Sequence, residues 1–123
     1  MSENWDDKSP IYHQLKERVA KLIMDGSFAE GEAIPSVRQV SSEYKINHIT
    51  VSKAYQELVD MGVLEMRRGR GMFVLTGAQT RLIVDARNEF ENIELPEIVK
   101  RASQLGISSE ELIQKIERFV DGS

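Results

Sequence analysis

The chain has 123 residues, a formal net charge of −4 and no cysteine. A hydrophobic content of 41% with 29% charged residues is typical of a folded globular protein and excludes a disordered one. The absence of cysteine excludes disulfides and thiolate metal sites, and no apolar run is long enough to span a bilayer. The acidic, polar start differs from a secretory signal, so a cytoplasmic protein is expected.

A first helix is predicted after Ser9-Pro10, because serine suits a helix N-cap and proline suits the first turn. Apolar residues then recur at steps of three and four positions, which is the helical period. These residues are Ile11, Leu15, Val19, Leu22 and Ile23. The helix is expected to end near Gly26, and residues 27–34 are expected to form a loop.

Two further helices are predicted in close succession. Ser36 is the expected N-cap of a short second helix, and Asn47 is the expected N-cap of a third helix that runs to about Met61 and is closed by Gly62. The residues expected on their inner faces are Val37, Val40 and Tyr44 in the second helix and Val51, Ala54, Tyr55 and Leu58 in the third. Because only a tight turn separates them, the pair predicts a helix-turn-helix.

A β-hairpin is predicted directly after the third helix. Two short apolar segments, residues 63–66 and 72–75, flank the turn Arg67-Arg68-Gly69-Arg70-Gly71, and a glycine-bearing turn between such segments is typical of a hairpin. A hairpin in this place is a wing. Residues 1–77 are therefore predicted to form a winged helix-turn-helix DNA-binding domain.

Helical periodicity returns after Gly77, and residues 78–123 are predicted to form a short all-helical dimerisation tail, which makes the fold mainly α within the α+β class. Pro96 is expected to kink or separate the first helical stretch, Gly106 to end it, and Ser108 with Glu111 to open a last helix through a capping box. Each helix is apolar along one stripe and too small to form a core alone, so pairing with a second copy is expected. The residues expected at the dimer interface are Leu82, Ile83, Ala86, Phe90, Ile98, Leu105, Leu112, Ile116 and Phe119.

The outer face of the third helix near its N-terminus is the first candidate for contact with DNA. Its residues are Asn47, His48, Ile49, Thr50, Ser52 and Lys53. A helix N-terminus and cations suit phosphate, and hydroxyl and aliphatic side chains suit base edges and the thymine methyl group. The alternative is an ordinary solvated helix face, which the composition of the helix alone favours; the wing behind it makes DNA contact the preferred interpretation.

The wing tip and the second helix supply the remaining candidates. Arg67, Arg68 and Arg70 surround Gly69, and arginines in such a place suit phosphate or a narrow minor groove, although solvated charge is the alternative. Arg38, with Ser36 beside it, is placed to contact the DNA backbone, and a surface ion pair of Arg38 with Glu43 or Glu17 is an equal alternative. Residues 36–75 carry six basic and four acidic side chains, whereas the chain from Gln79 onward carries six and nine, as expected if only the middle meets a polyanion.

Four segments, taken with their order and spacing, resemble the GntR superfamily of bacterial regulators and specifically its short YtrA-like branch. They are residues 10–15 (PIYHQL), 31–38 (GEAIPSVR), 50–58 (TVSKAYQEL) and 67–74 (RRGRGMFV). The resemblance implies DNA contacts by Arg38, by the start of the third helix including Thr50, and by the wing around Gly69. His48 and Ile49 depart from the branch, which often has proline and asparagine there, so the base preference is expected to differ.

The resulting expectation is a homodimeric repressor of an inverted-repeat operator, since members of the family are usually repressors, often of adjacent transport operons. The chain has no catalytic motif, so neither an enzyme nor a cofactor or metal site is expected. A small-molecule effector is left open. The alternative function is a winged-helix protein-interaction module without sequence-specific DNA binding, which the arginine cluster at the wing tip disfavours.

Overall fold

The computed structural model of the protein describes residues 5–122. The elements in chain order are α1 (Ile11–Met24), α2 (Val37–Tyr44), α3 (His48–Asp60), β1 (Leu64–Arg67), β2 (Gly71–Val74), α4 (Ala78–Glu89), a π-helical turn (Phe90–Glu94), α5 (Leu95–Gln104) and α6 (Ser109–Asp121). This order confirms a mainly helical winged helix-turn-helix followed by a helical tail. No helix within the described part is long and apolar enough to cross a bilayer.

Contacts between residues divide the chain into two compact units. The winged-helix unit extends to Val84, and the tail unit starts at Asp85. The division therefore falls inside α4, after the boundary expected at Gly77. The reason is that Ala78 and Leu82, on the first two turns of α4, belong to the core of the winged-helix unit.

The core of the winged-helix unit is formed by one face of each helix and by the strands. The periodicity of α1 and α3 predicts which side chains point inward, and those of α3 are all buried, as expected. The largest side chains that are almost completely buried are Leu15, Val19, Ile23, Val40, Val51, Tyr55, Leu58, Val63, Leu64 and Val74. Burial on this scale holds the two helices of the helix-turn-helix at a fixed distance from the wing.

The start of α1 differs from the prediction, because its N-cap is Pro10 rather than Ser9 and no side chain caps this end. The Ser9 carbonyl instead accepts a hydrogen bond from the side-chain amide of Gln14 (2.7 Å). The carbonyl oxygen of that amide accepts from the Asp6 N–H (3.0 Å). The predicted Ser9 cap is therefore wrong: a buried amide needs partners, and Gln14 finds them in the backbone that precedes α1.

The starts of α2 and α3 are capped as predicted. The Ser36 hydroxyl oxygen accepts from the Gln39 N–H (3.1 Å), and the Gln39 side chain accepts from the Ser36 N–H (2.8 Å), which completes a capping box. The Asn47 side chain accepts from the Ile49 N–H (2.8 Å). Both caps leave the first turn of each helix at the surface with a defined backbone position.

A buried tyrosine connects α3 to the chain before α2. Tyr55 is almost completely buried, and its hydroxyl donates a hydrogen bond to the Pro35 carbonyl (2.6 Å). Burial raises the pKa of this hydroxyl well above its usual range, so it stays a donor at every physiological pH. The bond ties the N-terminus of α2 to the middle of α3 and so helps to fix the angle of the helix-turn-helix.

The wing is a two-stranded antiparallel hairpin in which Leu64 pairs with Val74 and Arg67 with Gly71. Its strands lie within one residue of the predicted segments. The tip is a three-residue loop, and Gly69 takes a positive φ of 75° there, a backbone conformation that L side chains rarely adopt. The hairpin is thus turned tightly enough to keep three arginines at one end.

The segment predicted as a loop before α2 contributes a short edge to this sheet. The Gly31 N–H donates to the Val74 carbonyl (2.8 Å), and the Ile34 N–H donates to the Met72 carbonyl (2.9 Å). An isolated bridge also joins Ala33 to the wing. The irregular sequence of the segment gives no strand periodicity, which is why the pairing was not predicted.

Pro96 neither breaks nor separates the helix in which it lies. Proline has no N–H and cannot make the ordinary hydrogen bond to the carbonyl four residues earlier. The chain adapts through the π-helical turn Phe90–Glu94, and the Leu95 N–H donates to the Phe90 carbonyl five residues back. One wider turn thereby accommodates the proline, and the helical path continues into α5.

The tail unit ends in two helices joined at Gly106. The Ile107 N–H donates to the Ala102 carbonyl (2.9 Å), which closes α5 as predicted. Ser108 is the N-cap of α6, and its hydroxyl oxygen accepts from the Glu111 N–H (3.1 Å). Within the described residues of this unit, the only buried side chain is Ala102 (6% exposed).

Candidate nucleic-acid interface

The N-terminal turn of α3 is the most exposed part of the helix-turn-helix. His48 and Ser52 are exposed, Thr50 is half-buried, and Ile49 is 67% exposed although it is a large apolar residue. Asn47 faces the same end, but its side-chain oxygen is occupied by the capping hydrogen bond. The unpaired N–H groups of this turn and the positive end of the helix dipole suit a phosphate oxygen.

Lys53 lies one turn further along α3 and is held by an aromatic ring. Its Nζ atom is 4.0 Å from the centre of the Tyr12 ring, which belongs to α1. This cation–π contact is worth about 0.5–1 kcal/mol at an exposed site. Lys53 is therefore held towards α1, whereas the cations at the wing tip extend away from the core.

An open depression between α2 and the start of α3 brings together residues that are distant in sequence. Its lining residues are Val37, Arg38, Ser41, Ser42 and His48. Arg38 is exposed, and among residues 5–122 no hydrogen bond or ion pair holds its guanidinium group. The surface ion pair with Glu43 or Glu17 that the sequence left open is not formed, because Glu17 pairs with His13 (3.2 Å) and Glu43 makes no ion pair within the described residues.

Ser42 is an interface candidate that the sequence alone did not indicate. It follows Arg38 by four residues and so lies on the same face of α2, where it is exposed in the same depression. This spacing was a usable signal. Ser36, by contrast, was a sequence candidate, but its hydroxyl oxygen is already occupied by the capping box, which leaves only its hydroxyl hydrogen for a further contact.

The three wing arginines do not occupy equivalent environments. The Arg67 guanidinium lies 4.2 Å from the centre of the Phe73 ring, and its Nε atom is 3.4 Å from a Glu65 carboxylate oxygen. Arg70 lies 5.4 Å from the same ring. Arg68 at the tip is exposed, and no contact with another described side chain holds it. The wing therefore presents one unrestrained arginine beside two that stack on its own aromatic residue.

The predicted DNA-binding residues thus form two neighbouring groups, one at the α2–α3 surface and one at the wing tip. In the described part of the chain, no three His, Asp or Glu side chains lie close enough together to hold a metal ion. The chemistry available at this surface is hydrogen bonding, apolar contact and positive charge. These are the means by which proteins contact phosphates and base edges.

Comparison with known proteins identifies the family. Residues 11–74 match the family described as bacterial regulatory proteins, gntR family. The chain belongs to the GntR family. The matched residues span the chain from the start of α1 to the end of β2, so the family match contains both groups of candidate residues.

Two curated relatives of this GntR-family chain match along most of its length. It is 27% identical over 122 residues to the uncharacterized HTH-type transcriptional regulator YhcF of Bacillus subtilis, covering 99% of each chain. It is 33% identical over 111 residues to the HTH-type transcriptional repressor YtrA of the same species, covering 90% of this chain and 85% of that protein. The predicted relation to YtrA is therefore confirmed.

Solved structures show the same architecture. A GntR family transcriptional regulator from Listeria monocytogenes superposes with a TM-score of 0.77 at 25% identity, covering 93% of this chain and 98% of that one. The structure titled AraR(DBD) in complex with operator ORR3 superposes with a TM-score of 0.53 at 28% identity, covering 58% of this chain and 86% of that one. The GntR-family chain is thus similar to a full-length regulator and, over part of its length, to a domain that binds operator DNA.

Proposed function

We propose that the protein is a homodimeric repressor that binds an inverted-repeat operator in the cytoplasm. The observation that carries the proposal is the surface formed by the first turn of α3, by Arg38 of α2 and by the wing tip. Its apolar, hydroxyl and cationic groups are exposed, and no ion pair holds Arg38 or Arg68 within residues 5–122. The names of YtrA, a repressor, and of the AraR–operator complex support the direction of the proposal.

In the proposed complex, α3 enters the major groove and the wing lies along the adjacent backbone or minor groove. Thr50 and Ile49 then face base edges, a hydroxyl and an aliphatic group respectively. Arg38 and Arg68 contact phosphates. These side chains come from three elements whose mutual positions are fixed by the buried core, so the contacts are made together.

The proposed dimer rests on the apolar side chains that the tail unit leaves exposed. The large apolar side chains of the tail unit that are at least about half exposed are Phe90, Ile93, Ile98, Val99, Leu105, Ile113, Ile116, Phe119 and Val120. Contiguous exposed apolar surface is unfavourable in water and marks an interaction site. A second copy of the same helices offers a matching apolar surface, and two-fold pairing would place two winged-helix units on inverted half-sites.

The residues proposed for this interface differ from the sequence list in one respect. Leu82 is 4% exposed because it packs in the core of the winged-helix unit, so a partner has no access to it and we remove it. Ile83, Ala86, Phe90, Ile98, Leu105, Ile116 and Phe119 are exposed, and Leu112 is half-buried. They remain the proposed dimer residues.

Replacement of Thr50 tests whether the protein reads sequence. In Thr50→Ala we expect the affinity for the preferred operator to fall towards that for an unrelated duplex, with a loss of discrimination of about 1–3 kcal/mol, because a base contact of this kind is worth that much. Fluorescence anisotropy on both duplexes at one salt concentration measures the difference. Thr80→Ala, an exposed threonine on α4, is the matched control and should change neither affinity.

Two outcomes would count against the proposal. Equal weakening on both duplexes in Thr50→Ala would remove this residue from sequence recognition. A wild-type protein with no measurable preference among duplexes would favour the alternative of a protein-interaction module.

A further inference from the structure

The first turn of α4 is capped by a side chain from a distant part of the chain. The Gly77 N–H and the Gln79 N–H each donate to the Glu30 carboxylate, one to each oxygen and both at 3.0 Å. Glu30 lies in the segment between α1 and α2, 47 and 49 residues away from these donors in sequence. A helix start is usually capped by the residue that immediately precedes it, so this arrangement joins two separate elements.

The side chain of Gln79 adds a second connection at the same place. Its Nε2 atom donates to the carbonyl of Met24, the last residue of α1 (2.6 Å). Next to it, Ala78 and Leu82 are buried in the core of the winged-helix unit. We call Glu30 and Gln79, with the three hydrogen bonds that they make, the α4 clasp. The clasp and the two buried residues hold the first two turns of α4 against the end of α1 and the segment that follows it.

The charge of Glu30 is suited to this place. Its two backbone hydrogen bonds lower the pKa of the carboxyl, so it is ionised at neutral pH, and a negative charge is favourable at the positive end of a helix. Glu30 is nevertheless exposed, and exposed polar contacts contribute little to the stability of a domain. The contribution of the clasp is therefore expected to lie mainly in the direction of α4.

That direction matters because α4 continues without interruption from the winged-helix unit into the tail. Resting on the homodimer proposed above, we propose that Glu30 is a positioning residue that sets the direction in which α4 leaves the winged-helix unit, and thereby the spacing between half-sites that the dimer accepts. Gln79 acts in the same way through Met24. Neither residue needs to contact DNA.

The test varies the spacing between half-sites instead of their sequence. Duplexes carry two inverted half-sites whose centres are moved apart or together in single base pairs, and one further duplex carries a single half-site. Two base pairs rotate one half-site about the helix axis by roughly 70°, since a turn takes about 10–10.5 bp. Affinities of wild type, Glu30→Ala, Glu30→Gln and Gln79→Ala are measured on the whole series in the same buffer.

We expect the wild type to lose about tenfold or more in affinity for a two-base-pair change, within the usual range for coupling between sites. Glu30→Ala and Gln79→Ala should lose less than about threefold for the same change, and their affinity for the single half-site should stay within about twofold of wild type. Glu30→Gln keeps one acceptor oxygen and should lie between these limits. Glu32→Gln, an exposed carboxylate nearby whose side chain makes no hydrogen bond with the described residues, is the control.

The outcomes separate this inference from the proposed function. If wild type shows no spacing preference, or binds two half-sites no better than one, the homodimer on an inverted repeat is wrong. If wild type shows the preference and both alanine variants retain it in full, the clasp does not set the spacing and the inference is overturned. Circular dichroism at the assay temperature confirms that each variant is folded, and because simple destabilisation lowers affinity for all duplexes alike, only a change in spacing preference supports the inference.

Discussion

The winged-helix unit and the tail unit have similar helical periodicity but opposite patterns of burial. In the winged-helix unit, the apolar stripes of α1 and α3 are closed by each other and by the wing, and residues such as Val19 and Leu58 are completely buried. In the tail unit, the stripes of α5 and α6 are as regular, yet Phe119 is 77% exposed and Ile116 is 50% exposed. The comparison teaches that an amphipathic stripe predicts that a face will be covered, but not by what.

The difference follows from the number of elements that each unit has. Three helices and a hairpin can surround a common centre, whereas a few helical segments in an open arrangement have one apolar face each and too few partners. The predictions below either remove this difference or make it measurable, and they run from the largest expected effect to the smallest.

The double variant Ile116→Ala, Phe119→Ala is expected to have the largest effect, on dimerisation. Burying a large apolar side chain contributes about 1.5–3 kcal/mol, and a two-fold interface contains each side chain twice, so the loss is at least about 6 kcal/mol per dimer. Sedimentation equilibrium should show a monomer at concentrations where wild type is a dimer. Glu117→Ala, an exposed residue between them, should remain dimeric, and a dimeric double variant would place the interface elsewhere.

Leu58→Ala is expected to destabilise the winged-helix unit by about 2–5 kcal/mol, because it leaves a cavity in a core that is otherwise closed. Urea unfolding at a fixed protein concentration measures the loss. The matched control on the same helix is Ile49→Ala, which truncates an apolar residue that is 67% exposed and should change stability by about 0.5 kcal/mol or less. Similar losses in the two variants would contradict the assignment of inner and outer faces of α3.

The wing arginines give the smallest and most local test. Arg68→Ala should reduce the slope of log affinity against log salt by about 0.9, the value for one lost phosphate contact. Arg67→Ala should reduce it less, because the Arg67 guanidinium is stacked on Phe73 and pairs with Glu65. Equal reductions would show that the stacking does not restrain Arg67 when DNA binds, and an unchanged slope in both would remove the wing from the interface.

Much of the winged-helix unit could be predicted from the sequence, because its elements carry local signals. Asn47 and Gly62 mark the ends of α3, and Gly69 marks the turn of the wing; each acts through the backbone of its own neighbourhood. The inward residues of α3, Val51 and Tyr55 among them, follow from the helical period alone. The α2–α3 surface and the wing tip were therefore identified before any tertiary contact was known.

The features that were missed depend on contacts between distant residues. Nothing near Glu30 indicates that its carboxylate caps α4, and nothing near Leu82 indicates that the winged-helix core extends to it. Ser9 was given a capping role on local grounds, yet a buried glutamine elsewhere in the first helix determines the backbone there. Pro96 had a local signal, but the π-helical turn that accommodates it is one of several responses that the same residue permits.

In vitro selection from a pool of random duplexes tests the central claim most directly. We predict that the full-length protein enriches two inverted copies of one short sequence, with centres separated by about one helical turn (10–10.5 bp) or a multiple of it, and that Thr50→Ala enriches the same arrangement with weaker base preference. Enrichment of a single copy, of direct repeats or of no sequence at all would contradict a two-fold dimer that reads DNA through α3.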